Sequence, residues 1–209
     1  MKPVPWAIMP PLEYRHAGRI DRPHQCLFHC RRDIMNVLIV FGTTEGQTKK
    51  VAERVAAHFR GRGHHVELQD SAALASDLEL GHVDAFVIAA SVHQEHHQEA
   101  VTNFVFAHHD LLSTRPCALI SVSLSAALEG HEAYAQRYVD RFVSVTAWQP
   151  RMTLLLGGAL RFSKYDFFQE QFVKFVVMKS GDPNIERDHE FTDWNALANF
   201  ADRFLETIG

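Results

Sequence analysis

Met35-Asn36-Val37-Leu38-Ile39-Val40-Phe41-Gly42-Thr43-Thr44-Glu45-Gly46-Gln47-Thr48 begins as an unbroken apolar run and ends in a loop crowded with hydroxyls. The run is too short for a helix and lacks the alternation of a half-exposed strand, so it reads as a parallel strand covered on both faces. The loop turns on Gly42 and Gly46, where a missing Cβ lets main-chain N–H groups approach an anion closely. Thr43, Thr44 and Thr48 add hydroxyl donors, Gln47 adds an amide, and Glu45 stands at the helix entry. A strand, a polar loop and a helix N-terminus in this order can hold one phosphate without lysine or arginine, because aligned amides supply the positive potential.

Two other phosphate-binding designs share this topology and differ in residue type. A nucleoside triphosphatase loop would place Gly-Lys-Ser/Thr at the helix entry, whereas Gln47 follows Gly46 here. A dinucleotide fold would show G-x-G-x-x-G at the turn, and that triplet is missing. The segment therefore reads as a site for flavin mononucleotide (FMN), against the plainer alternative of an ordinary strand and loop with Thr48 near the helix entry.

Working outward, residues 48–60 place Val51, Val55 and Phe59 on one helical face, with Ala52 and Ala56 beside them. Short apolar strands are expected at 65–69, 84–90, 117–122 and 152–156. One helix is expected to bury Val101, Phe104, Val105 and Leu112, another to run through Tyr134, Tyr138, Phe142 and Val145. A last one carries Trp194, Leu197, Ala201, Phe204 and Leu205, with Thr192 or Asp193 as its N-cap. Strands alternating with helices imply right-handed crossovers and a parallel sheet. One phosphate loop after the first of five strands suits an α/β three-layer sandwich of flavodoxin-like order 2-1-3-4-5, with the ligand over the loops after Val40, Ala90 and Val122.

The 209 residues carry 46% hydrophobic and 22% charged side chains, the balance of a soluble globular domain. A net charge of -4 supplies no general basic field for nucleic acid. Three cysteines, Cys26, Cys30 and Cys117, form no paired pattern, and a reduced, cytoplasmic compartment is expected. Residues 1–34, interrupted by five prolines, are expected to be a disordered leader or to precede the true start at Met35, leaving 35–209 as the domain. His24, Cys26, His29 and Cys30 have metal-ligand types without a matching second half, and His93, His96 and His97 lie beside Glu95 and Glu99 without fixed geometry. No metal site is assigned to either group. Residues 161–191 are too long for an ordinary connection and form an insertion between the fifth strand and the last helix. Phe168, Phe172, Phe175 and Val176 recur within it at helical spacing, which reads as a packed extra helix, a cover over the cofactor, a hydrophobic substrate wall or a membrane-surface contact.

Several of these segments together resemble the flavodoxin-type, menaquinone-dependent protoporphyrinogen IX dehydrogenases of bacterial haem synthesis. The carrying motifs are 42–48, Ala90-Ser91-Val92-His93 leading to His96, Gly158-Ala159-Leu160-Arg161, Thr192-Asp193-Trp194 and Ala198-Asn199-Phe200-Ala201. The insertion at 161–191 matches that family in place and length. The resemblance implies that Thr43, Thr44, Gly46, Gln47 and Thr48 bind the FMN phosphate, with Glu45 in the same cofactor loop in place of one phosphate donor, and that Ser91, Val92, His93, Gln94, Ser123 and Leu124 flank the isoalloxazine ring. It also implies a porphyrinogen substrate and a quinone or respiratory-chain acceptor, with possible peripheral contact at the inner face of the membrane. His93 and Gln94 depart from the arginine and tyrosine usual there, so the ring lacks that aromatic partner. Arg161, Lys164 and Lys174 remain as candidates for the substrate's carboxylates. His96 is the candidate proton-handling group, with Arg161 beside it as a catalytic candidate. A soluble electron carrier, a quinone reductase and a flavin-free interaction domain stand as alternatives; a yellow purified protein would exclude the last.

Overall fold

The computed structural model describes residues 34–75, 78–160 and 188–208, all within the unit that runs from Arg32 to Gly209. The main sheet is built from β1 (Asn36–Gly42), β2 (His65–Asp70), β3 (Ala85–His93), β5 (Cys117–Ser123) and β6 (Met152–Gly157), with the two-residue β4 (His96–His97) paired antiparallel to β3. The spatial order β2-β1-β3-β5-β6 is parallel throughout. Without the small β4 it is the expected 2-1-3-4-5.

The apolar run of β1 shows why the sheet is covered twice. Val37, Ile39 and Phe41 enter one core, and Leu38 and Val40 enter the other. On the first face pack α1 (Gln47–Gly61), through Val51, Ala52, Val55, Ala56 and Phe59, and α5 (Trp194–Ile208), through Leu197, Phe200, Ala201, Phe204 and Leu205. The opposite core takes side chains from α2 (Glu99–Ala107), α3 (His109–Thr114) and α4 (Glu132–Thr146). Because α1 and α2 leave β1 and β3 on opposite faces, the switch point of the topology, where such folds bind ligands, lies between these neighbouring strands at their carboxyl ends. A second ribbon pairs β7 (Ala159–Leu160) with β8 (His189–Glu190), the strands on either side of 161–187. Among the described residues no helix is long and apolar enough to cross a membrane.

Three local expectations are refined by the structure. The helix expected through Leu112 divides at His108, whose ring packs against Phe104 at 4.7 Å, although Val101, Phe104, Val105 and Leu112 are all buried. The buried stripe of α4 is Ala135, Val139, Phe142 and Thr146, while Tyr134 and Val145 are exposed. Small side chains at 135 and 139 let the helix sit close to the sheet and leave the tyrosine at its edge. Third, β3 runs past Ala90 to His93 and reverses into β4, pairing Val92 with His97 and His93 with His96.

The two residues of that reversal, Gln94 and Glu95, have φ of 49° and 66°, a left-handed pair that an asparagine followed by a glycine accommodates more easily. The double substitution Gln94→Asn with Glu95→Gly is expected to raise stability by about 1 kcal/mol, after allowing for glycine's freedom in the unfolded chain. Urea unfolding should show a higher midpoint at unchanged slope; an unmoved or lower midpoint would mean that the turn stores no strain.

Candidate functional site

Register aligns the expected ligand-binding segments along one rim. Gly42 pairs with Ala90, which pairs with Ser121; Ser91 pairs with Val122, and Ser123 with Gly157. The loops after β1, β3 and β5 therefore open on the same carboxyl edge. The first loop is held by Thr43, whose Oγ1 accepts the Gly46 N–H at 2.8 Å and keeps its own proton available. Gly46 has a φ of 88° and turns the chain into α1. Gln98, immediately before α2, donates through Nε2 to Thr44 Oγ1 at 2.7 Å. The same side chain makes Gly42 obligatory in physical terms. A Cβ there would lie 2.3 Å from Gln98 Oε1 and 2.4 Å from Val101 Cγ2.

Unpaired buried polar atoms collect at this rim. Among the described residues the orphaned side-chain atoms are Gln47 Oε1, Thr48 Oγ1, Ser71 Oγ and Ser91 Oγ. Gln47 and Thr48 start α1, Ser71 follows β2 directly, and Ser91 is on β3, so all four belong to the carboxyl ends of three adjacent strands and the helix between them. Leaving such groups unsatisfied costs about 1–3 kcal/mol each, a cost a polar ligand would remove. The hydroxyls of Thr43 and Thr48, with the open N–H groups of the first helical turn, are donors suited to a phosphoryl group. Gln47 Oε1 can only accept, and a phosphate dianion has no proton to give it. The donor set therefore suits a phosphorylated compound that also bears hydroxyls, as a nucleotide's sugar chain does.

Gln47 is oriented by the strand that follows the insertion. Its Nε2 donates to Thr192 Oγ1 at 2.8 Å, and Thr192 in turn donates to the Gly157 carbonyl at 2.8 Å. The carboxylate of Glu190 is stabilised from the same side by the amide's positive end. Glu190 further accepts from Lys50 Nζ at 3.1 Å and Trp194 Nε1 at 3.0 Å. Burial alone would raise the Glu190 carboxyl, but Lys50, Trp194 and Gln47 outweigh it and hold it below the ordinary carboxylate range. Since Gln47 uses its amide nitrogen internally, what it offers a phosphate is its main-chain N–H. The N-cap of α5 is Asp193, whose carboxylate accepts from the N–H groups of Asn195 and Ala196 at 3.0 and 2.9 Å.

The β3–β4 hairpin separates the histidines. His93 and His96 are exposed, and Arg141 on α4 donates to His96 Nε2 at 3.2 Å, so that nitrogen is unprotonated. His96 and Arg141 border a cavity of about 80 Å³ with Tyr138 and Phe142, too small for a tetrapyrrole. His97 is buried, its Nε2 lying 2.9 Å from Ser121 Oγ and its ring 4.8 Å from that of Phe142. Burial, aided by the neighbouring His96, lowers its pKa to about 4. Among the described residues no group of three or more histidine, cysteine, aspartate or glutamate side chains is placed to hold a metal ion. Ser123 Oγ accepts the Ala126 N–H at 3.2 Å, fixing the turn after β5 that carries half-buried Leu124. Cys117 is a buried free thiol pushed up by burial, in keeping with a small core residue. Arg161, Lys164 and Lys174, the aromatic stripe of the insertion and the His/Cys group near the N-terminus lie outside the described residues.

Gln98, Thr192, Glu190 and Ser71 were not singled out by sequence as parts of the site. Only Ser71, just past a strand beside the switch point, stood where topology could have drawn attention to it.

Comparison with known proteins places this geometry. The flavodoxin domain family matches residues 38–186. A protoporphyrinogen IX dehydrogenase (quinone) of Escherichia coli strain K12 is 28% identical over 169 residues, spanning 80% of this chain and 93% of that protein. One of the same name from Leishmania major is 28% identical over 173 residues, spanning 80% of this chain and 73% of the relative. Among solved structures, oxidised flavodoxin 1 from Bacillus cereus aligns with a TM-score of 0.52 at 12% identity, covering 83% of this chain and 99% of that one. Flavodoxin 2 of the same organism gives 0.50 at 15%, covering 82% and 99%.

Proposed function

The chain belongs to the flavodoxin domain family, and from that premise we propose that it is an FMN-dependent oxidoreductase that oxidises protoporphyrinogen IX and passes the electrons to a quinone. The observation that carries the reading is the set of four orphaned buried polar atoms around the carboxyl ends of β1, β2 and β3 and the start of α1. FMN answers both halves of their chemistry, a phosphate to accept and ribityl hydroxyls to donate. Thr43, Thr48 and the first-turn N–H groups of α1 hold the phosphate, Gln47 Oε1 accepts from the ribityl chain, and the segments 91–94 and 123–124 border the ring. Glu45 stands at the helix entry, partly buried and engaged within the protein. Its charge suits the positive end of α1 without competing for the phosphate.

Bound FMN supplies the two-electron acceptor chemistry, and the protein's part is positioning and electrostatics. No nucleophile or carboxylate pair is required. His96 is the residue offered to take a proton released on dehydrogenation; its Nε2 lone pair accepts from Arg141, so protonation there requires that contact to open. The names of the E. coli and L. major relatives support a porphyrinogen substrate and a quinone acceptor. A lipid-soluble acceptor would be met at the inner face of the membrane by peripheral contact, with Arg161, Lys164 and Lys174 offered to the substrate's carboxylates.

The test is an anaerobic half-reaction. Protein reconstituted with FMN should bleach when protoporphyrinogen IX is the only reductant and regain its colour on addition of a menaquinone analogue. Retention of FMN without bleaching would remove the substrate and leave a carrier; failure to retain FMN would remove the flavin as well.

A further inference from the structure

The hydrogen bonds that reach Gln47 from the far end of the chain do more than fasten a strand to a helix. A glutamine amide can present either its nitrogen or its oxygen to a given side, and what faces it decides which. Thr192 has spent its only proton on the Gly157 carbonyl, so toward Gln47 it can act only as an acceptor. The Glu190 carboxylate, held by Lys50 and Trp194, adds negative charge on the same side and favours the amide's nitrogen there. With the acceptor and the charge on one side, the amide nitrogen must face them, and the oxygen is left in the interior with no partner among the described residues.

We propose that Thr192 and Glu190 are positioning residues for the cofactor cradle: Thr192 accepts an amide proton of Gln47, the Glu190 charge favours the same orientation, and together they preset the Gln47 carbonyl oxygen as an open acceptor for a hydroxyl of the bound nucleotide. The inference rests on the flavin reading above and adds to it the residues that choose the polarity of one contact. It also gives Thr192 a duty distinct from that of its neighbour Asp193, which caps α5. Residues about 145 positions apart in sequence thus define one side of a single ligand group.

Titration of the apoprotein with FMN, followed by quenching of flavin fluorescence, tests this. Thr192→Val keeps the shape and removes the acceptor, and should weaken binding about 5–10-fold, the scale of one oriented hydrogen bond. Thr192→Ser restores the hydroxyl and should return affinity to within about twofold of wild type. Glu190→Gln, whose amide can donate and so allows Gln47 to turn over, should weaken binding a few-fold. In a Gln47→Leu background the Thr192→Val loss should disappear, because no amide remains to orient. A packing role alone would leave the Thr192→Val penalty intact in that background, and this result would overturn the proposal. So would unchanged FMN affinity in Thr192→Val, or no rescue by serine. Wild-type apoprotein that fails to bind FMN would bring down the flavin reading and this inference together, whereas normal wild-type binding with an indifferent Thr192→Val would bring down this inference alone.

Discussion

A protein carrying both Gly46→Val and Thr48→Ala is expected to lose its FMN, with affinity falling on the order of a thousandfold. Two independent costs combine. Gly46 sits at φ 88°, which a β-branched residue adopts only with strain of about 1–2 kcal/mol, or else by moving the loop that carries the amides. Thr48 is 1% exposed and its hydroxyl has no partner among the described residues. Donation from such a group to a charged phosphate is worth about 1.5–3 kcal/mol. Together these approach about 4 kcal/mol, close to three decades in a dissociation constant. The substitutions lie at the start of α1, where Thr48 begins the buried face; alanine there leaves the apolar packing of Val51, Val55 and Phe59 in place, so far-ultraviolet circular dichroism should remain that of the parent. Ordinary flavin content in a folded double variant would show that the phosphate lies elsewhere.

The second large effect concerns acid. His97 is 8% exposed, and its pKa of about 4 lies well below the 6.5 of an unhindered imidazole. Because the folded value is the lower one, the unfolded chain binds a proton first as pH falls, and stability drains away between about pH 6.5 and pH 4. Nothing more is lost through this group below that window. At pH 4.5 the loss is about 2.5 kcal/mol relative to pH 7.5, since each pH unit within the window removes about 1.36 kcal/mol. His97→Gln cannot titrate and keeps an amide able to bond Ser121. Its stability difference between the two pH values should therefore be smaller than that of the parent by about this amount, as read by urea unfolding. An identical pH dependence in parent and variant would show that the ring gains its proton without leaving the core. The site would feel the same change, since a protonated ring can only donate to Ser121 on β5, and where Nε2 accepts in the neutral ring the bond beside the Gln94–Glu95 reversal must change direction.

How much of this could be read from the chain depends on the reach of each interaction. The sheet order and the phosphate loop were legible because their signals are local: the run Val37 to Phe41 is apolar on both sides of the pleat, and Gly42 to Thr48 holds its turn and donors within seven positions. Thr192 stood out in the sequence only as a possible cap for the last helix and as part of a family motif. Its bond to Gln47 spans 145 positions, and no periodicity in either segment announces it. Gln98 was silent for the same reason, its partner Thr44 being 54 positions earlier. The β3–β4 hairpin escaped because Gln94-Glu95 is a poor advertisement for a left-handed turn. Its backbone is dictated by the pairing of Val92 with His97 rather than by the turn residues' own preference. On α4 the residues that revealed the helix only partly mark its buried side: Phe142 is buried, and the rest of the stripe is Ala135, Val139 and Thr146.

The tight seat of Gly42 bears on how sequences of this kind can diverge. A methyl group at 42 collides with Gln98 and Val101 at once, so a change confined to that position meets a steep barrier. Shorter side chains at 98 and 101 would have to arrive first, and the former would release Thr44 as it did so. Across descendants of this chain, positions 42, 98 and 101 should therefore vary as a group or not at all. An alanine at 42 beside an unaltered glutamine and valine would be the informative exception.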